Sequence, residues 1–215
     1  MSTTIDVYST TDVFPLVHQT RARTEELFRE LLARHGIDST LDVTACYPRE
    51  RGEELRMVPP DVRWTPGLEI GFGYWLNGVW DSNSWPECLV RDDDDLINED
   101  DPDALAYPSF IGRWGLLPEL AHRLAPETLD LIDARRHFWS EYRNAAGPAV
   151  ASTGYGLAAA ALAEATDGVI ASFDSAFELE HNGETAEEFL SWWGDHQINF
   201  YGKKRFLRSH WENQS

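Results

Sequence analysis

The sequence predicts an α+β protein, a mainly antiparallel sheet with a central β-hairpin and helices packed chiefly on one face. Three observations predict it. Residues 68–76 place Leu68, Ile70, Phe72, Tyr74 and Leu76 at alternate positions, the period of a strand with one buried side. Asn77-Gly78 follows directly, and this pair accepts positive φ at both positions of a two-residue hairpin loop. Around the hairpin, short β-branched runs are mixed with segments of helical periodicity, in no regular βαβ order.

Each element has its own signal. Residues 4–8 (TIDVY) alternate weakly and predict a first strand. RTEELFRELLARHG carries Leu27, Phe28, Leu31 and Leu32 on one stripe and ends at Gly36, a helix with a glycine stop. STLDVTACYP alternates Leu41, Val43, Ala45 and Tyr47 up to Pro48, a second strand. Residues 48–66 read as a long loop. In the hairpin, a two-residue loop sets Leu76 opposite Val79 and Trp75 opposite Trp80. The apolar row then faces the core, and Gly71, Gly73, Trp75, Trp80 and Ser82 face the other way. LLPELAHRL and APETLDLIDARRHFWSEYRNAAG predict two helices, each with proline near its start. GYGLAAAALAEATDG is an alanine-rich helix ending at Asp167-Gly168, and VIASF a short buried strand. AFELEH alternates as a strand, Asn182-Gly183 turns the chain, and Thr185 with Glu188 forms a capping box at the head of TAEEFLSWW. No repeat or linker divides the chain, so 1–215 reads as a single domain.

Charge excludes several classes of function. There are 37 acidic and 18 basic residues, a formal charge of −19. Such a chain is repelled by phosphate backbones and anionic lipid surfaces, which argues against direct nucleic-acid or membrane binding. It suits either adaptation for solubility or attraction of a basic partner. Only Lys203 and Lys204 are lysine, so arginine carries the remaining positive charge. No apolar run is long enough to span a bilayer, and the N-terminus lacks a secretory pattern, so a cytoplasmic protein is expected. Cys46 and Cys88 have no metal spacing and read as buried thiols.

Motifs for catalysis are sparse. Nucleophile elbow, Walker loop, dinucleotide fingerprint and zinc-protease helix are all missing from the sequence. The acidic run 92–103 (DDDDLINEDDPD) puts leucine and isoleucine where a calcium loop needs a ligand and a glycine, so no metal and no cofactor are expected. The best catalytic cluster is FELEH, where Glu178 and Glu180 share one face of the expected strand and His181 follows. Two carboxylates and an imidazole suit acid–base work of a small hydrolase-like enzyme. Asp195-His196 is a second, smaller cluster.

GFGYWLNGVW on a central hairpin, an alanine-rich helix, and TDGVIASFDSAFELEHNGETAEEFLSWW together resemble immunity proteins of bacterial polymorphic-toxin systems. The resemblance covers about a third of the chain and carries no catalytic residue. It implies a stoichiometric, non-enzymatic inhibitor that covers a toxin's active site, with a basic toxin domain as the partner. The residues expected to make the surface are Trp75, Trp80 and Trp85 as anchors, with Asp92, Asp93, Asp94 and Asp95 as an acidic rim. Two alternatives stay open: the enzyme using Glu178, Glu180 and His181, and an acidic nucleic-acid mimic that occupies a DNA-binding protein.

Overall fold

The computed structural model describes residues 2–48, 54–90, 123–144, 147–172 and 174–210. The architecture is α+β, with two antiparallel sheets. One has the order β5-β6-β1-β7, from β1 (Ser2–Tyr8), β5 (Pro86–Val90), β6 (His137–Asn144) and β7 (Val169–Ala171). The other has the order β2-β3-β4, from β2 (Leu41–Cys46), β3 (Gly71–Leu76) and β4 (Val79–Ser84). Trp85 alone separates β4 from β5, so the chain steps from one sheet to the other at a single residue.

Helix α1 (Val17–Arg34) begins six residues before its expected start. Val17, Thr20 and Thr24 extend the stripe of Leu27, Phe28, Leu31 and Leu32, and all seven are buried. Threonine is tolerated inside because its hydroxyl bonds one turn back, as Thr24 Oγ1 does to Thr20 O at 2.8 Å. Helix α3 (Ala149–Thr166) is buried at fifteen of its eighteen residues, so the rest of the protein surrounds it. It ends on Asp167 in the left-handed region (φ 48°), beside Gly168, where a Cβ would lie 2.7 Å from Tyr8 O.

The inner face of the β3–β4 hairpin carries Phe72, Tyr74 and Leu76, all fully buried. Phe72 packs edge-on to Trp64 at 6.0 Å, and Tyr74 lies 6.2 Å from Phe28 of α1. On the four-stranded sheet, Ile5 and Val7 enter this same core. Tyr8 points to the opposite side, where it stacks on Phe138 at 5.5 Å. There, helix α2 (Pro126–Ala134) covers a smaller cluster of Tyr8, Ile132, Val169 and Ala171.

Two expected elements differ. The helix expected to run on past Ala134 stops there, and β6 takes over. Its register sets Tyr8 opposite Phe138 and Val7 opposite Trp139, while its other edge pairs with β5. Two ladders of hydrogen bonds outweigh the local helical pattern. AFELEH is not a strand. Leu179–His181 is a single 3₁₀ turn with Glu178 and Glu180 exposed around it. The helix expected at 116–124 falls almost wholly outside the described residues. Cys46 and Cys88 are both buried and form no disulfide. Burial pushes the Cys88 thiol up to about 12, with the nearby Glu87 charge adding to the shift.

Where the sheets meet, the Glu141 side chain is buried. Its Oε1 accepts the Trp85 backbone N–H at 3.0 Å, and Oε2 has no protein partner. Burial pushes this carboxyl up to about 8, against the Ser84 hydroxyl and the Trp85 amide, which favour the anion.

Two predictions follow from these positions. Phe72→Ala should destabilise by roughly 3–5 kcal/mol, whereas Glu69→Ala, at an exposed position, should change stability by less than ~0.5 kcal/mol. Denaturant midpoints compare them, and equal losses would reverse the assignment of faces. The second concerns pH. Below the usual carboxylate pKa, Glu141 is protonated in both folded and unfolded chains. As pH rises from there to about 8, the unfolded chain gives up a proton that the folded chain keeps, so stability falls. Above that value the penalty is constant. Glu141→Gln should remove this contribution, gaining roughly 3–5 kcal/mol over wild type between pH 4 and pH 9. A constant difference across that range would show that Glu141 does not titrate this way.

Candidate functional site

The hairpin turn is built by Asn77 (φ 53°) and Gly78 (φ 75°), both in the left-handed region. Leu76 pairs with Val79 and Trp75 with Trp80, the expected register. Beyond them the register shifts. Tyr74 pairs with Ser82 and Phe72 with Ser84, leaving Asp81 as an inserted bulge residue. The bulge corrects the expected position of Ser82, which joins the inner face and is buried, as is Ser84. Ser84 Oγ lies 2.9 Å from the Tyr74 hydroxyl. Asp81 is itself buried and accepts from Ser82 Oγ at 2.6 Å and from the His210 backbone N–H at 2.5 Å. Burial raises its carboxyl pKa against those bonds.

The outer face holds the three tryptophans. The Trp80 ring lies directly on Gly73 and the Trp85 ring on Gly71; an added Cβ would sit 2.5 Å and 2.8 Å from them. Glycine is required here because the rings occupy the space of a side chain. Trp75 and Trp80 meet edge to face at 5.4 Å, and Trp75 Nε1 donates to Thr44 Oγ1 at 3.2 Å. Trp75 and Trp80 are half-buried, while Trp85 is 41% exposed. Tryptophan itself therefore covers the glycine backbone and presents its own outer surface.

Asp92, Asp93, Asp94 and Asp95 lie outside the described residues. Beside the hairpin the structure places both signs of charge, Asp42 paired with Trp75 and a basic C-terminal segment. Asn77 Nδ2 donates to Leu207 O at 3.0 Å, and with the Asp81–His210 bond this holds the C-terminal segment against the tip. That segment exposes Lys203, Lys204, Arg205 and Arg208. The link between residues 77 and 207 left no local sign in the sequence.

The second cluster is organised around a residue the sequence reading passed over, Glu184. Asn182-Gly183 reverses the chain, as expected, and brings His181 Nδ1 to 2.7 Å from Glu184 Oε1. Glu184 Oε2 accepts the Trp192 indole N–H at 2.7 Å, and the Arg123 guanidinium lies 3.1 Å from Oε1. The Glu184 carboxylate is buried, and its backbone bonds the edge of β7, with Ile170 N donating to Glu184 O at 2.8 Å. Helix α4 (Ala186–Leu190), with its Thr185–Glu188 capping box in place, turns the chain back so that Trp192 stacks on His181 at 4.0 Å. Arg123, His181 and Trp192 line a cleft of about 1130 Å³ with Phe177, Leu179, Glu178, Glu180, Ser175 and His196, and Glu184 lies buried behind them. Ser175 holds the left-handed region (φ 70°) without being glycine. The carboxylates of Glu178 and Glu180 are exposed, and it is Glu184 that bonds His181. Asp195 and His196 do not act together. Asp195 bonds His35 Nε2 at 2.9 Å and Arg34 at 2.8 Å, which lower its pKa, whereas His196 lies at the cleft.

No metal-binding group of histidine, cysteine or carboxylate side chains occurs among the described residues. No protein-family model, no curated protein and no solved structure matches the chain.

Gly73→Ala tests the tryptophan surface. The new methyl must displace the Trp80 ring, so the near-ultraviolet circular dichroism of the Trp75–Trp80 pair should change. Overpacking should also destabilise by about 1–3 kcal/mol. An unchanged spectrum would show that Trp80 does not lie on Gly73.

Proposed function

We propose that this chain is a protein-binding protein whose tryptophan surface acts by binding and not by turnover, an immunity protein that neutralises a cognate bacterial toxin by stoichiometric binding. The observation that carries the reading is the tryptophan surface. Trp80 and Trp85 lie on bare glycine backbone, Trp75 packs edge-on against Trp80, and all three keep part of their surface toward solvent. Rigid, partly desolvated aromatics on a sheet give a partner large contact area at small entropic cost. The charge of −19 favours a basic toxin domain. In this reading Asp92 to Asp95 raise the rate of encounter, and the turn carrying Lys203, Lys204 and Arg205 selects the partner's register. The nucleic-acid-mimic alternative has the net charge behind it, but the basic turn at the hairpin counts against it. No helix among the described residues is long and apolar enough to cross a membrane, and we place the site of action in the cytoplasm.

The test is co-expression with the product of the adjacent gene, with growth as the readout and affinity measured on the purified pair. Trp80→Ala should leave the protein folded and weaken the complex by ~2 kcal/mol or more, as loss of a hot-spot tryptophan does. Neutralising Asp92 to Asp95 should slow association, by less at higher salt, because screening shortens to roughly 8 Å at physiological ionic strength. Full affinity in a folded Trp80→Ala variant would place the interface elsewhere.

A further inference from the structure

We propose that the cleft at His181 is a second site, a general-base centre that hydrolyses neutral carboxylic esters with an apolar acyl group. It is independent of partner binding at the tryptophan surface.

The geometry begins with the hydrogen bond between His181 Nδ1 and Glu184 Oε1, 2.7 Å long. A carboxylate only accepts, so the imidazole donates from Nδ1. In the neutral ring the lone pair then sits on Nε2. Among the described residues, no other group bonds that ring. Its orientation is fixed twice, by Glu184 on one edge and by the Trp192 ring on its face at 4.0 Å. Glu184 is fixed in turn by the Trp192 indole, the Arg123 guanidinium and the backbone bond to β7. Stability alone does not require a buried carboxylate to hold a half-exposed imidazole at the wall of an open cleft. An oriented imidazole at the wall of an open cleft is an arrangement suited to activating water.

The lining selects the substrate. Phe177, Leu179 and Trp192 offer apolar walls to an acyl chain. The exposed carboxylates of Glu178 and Glu180 stand beside them and repel phosphate esters and other anions. Arg123 donates to Glu180 O and Glu184, and among the described residues no other hydrogen bond takes up the rest of its five N–H groups, which are offered to a developing oxyanion.

The step balances without a further reactant. Nε2 takes a proton from water as the water oxygen bonds the acyl carbon, and the carbonyl π electrons move to oxygen. The tetrahedral species reforms the carbonyl and breaks the bond to the alkoxy oxygen, which takes the proton back from Nε2. The products are a carboxylic acid and an alcohol.

The experiment uses the full chain and p-nitrophenyl butyrate, with free imidazole at equal concentration as the reference. Wild type should exceed imidazole by at least ~10-fold, with kcat/KM rising with pH. His181→Gln should lose about 100-fold or more, within the range of a lost general base, and lose the pH dependence too. Glu184→Gln should lower the rate by about 10-fold, as loss of a group that orients a histidine does. Nitrogen-15 NMR of the ring gives a readout independent of turnover and should show the Nδ1–H tautomer in wild type. Because Glu184 is buried and its variant can fail to fold, His181→Gln, at a half-exposed position, carries the decision. A wild-type rate no greater than imidazole, a folded His181→Gln that keeps the rate, or an Nε2–H tautomer would each overturn the proposal.

Discussion

The main core of the described residues is arranged around two missing side chains on α3. A Cβ on Gly154 would lie 2.3 Å from the Tyr74 ring, and one on Gly156 would lie 2.2 Å from the Trp193 indole. Neither ring has room to yield, since Tyr74 and Trp193 are both fully buried. The rings therefore press directly on helix backbone. Close contact of this kind sets the separation between α3 and its neighbours to within a fraction of an ångström, because buried interiors have no slack. The alanines from Ala158 to Ala161 and Ala163 keep the rest of α3 slim enough for its neighbours to approach on every side.

Both candidate sites inherit their orientation from these contacts. Tyr74 is held inward against Gly154, and side chains alternate along a strand, so Trp75 is forced outward. Trp80 faces it across the ladder. In the same way Trp193 is held inward against Gly156, and its indole donates to Thr153 O at 3.1 Å. Its neighbour Trp192 is left at the surface, 5.7 Å away and nearly perpendicular, where it meets His181 and Glu184. One helix thus positions an aromatic surface on one side and an imidazole–carboxylate pair on another. In each case a half-buried tryptophan adjoins the buried aromatic that α3 grips.

The hairpin was legible in sequence because its determinants are local. Alternation fixes the faces, and Asn77-Gly78 fixes the loop and so the register. The bulge was not legible. Asp81 leaves the ladder to bond His210, 129 positions away, and no local pattern announces a partner at that distance. Strand β6 was hidden for a related reason. Its inward residues include Glu141, whose burial breaks the polarity alternation that marks a strand. FELEH misled in the opposite direction. Its alternation is real, but the edge of β7 bonds Glu184 instead, so Glu178 and Glu180 are left in a turn. The capping box and the Asn182-Gly183 turn were both readable. That the turn joins His181 to Glu184 follows only once it has closed.

The buried carboxylates show how an acidic chain sorts its charges. Asp81 is met by a backbone N–H and a hydroxyl, and the bonds it makes tie the C-terminal segment to the hairpin. Glu184 is met by an imidazole, an indole and a guanidinium, a set of donors that suits a carboxylate acting purely as an acceptor. Glu141 has the Trp85 backbone N–H and the Ser84 hydroxyl beside it and an oxygen with no hydrogen-bond partner, so burial dominates and its proton is retained up to about 8. Three side-chain donors, one of them a guanidinium, set Glu184 apart from the other two. A carboxylate surrounded by donors can orient a neighbour such as His181, whereas one short of donors meets burial by holding a proton. That difference marks Glu184 as the carboxylate of a site and Glu141 as part of the framework where the two sheets join.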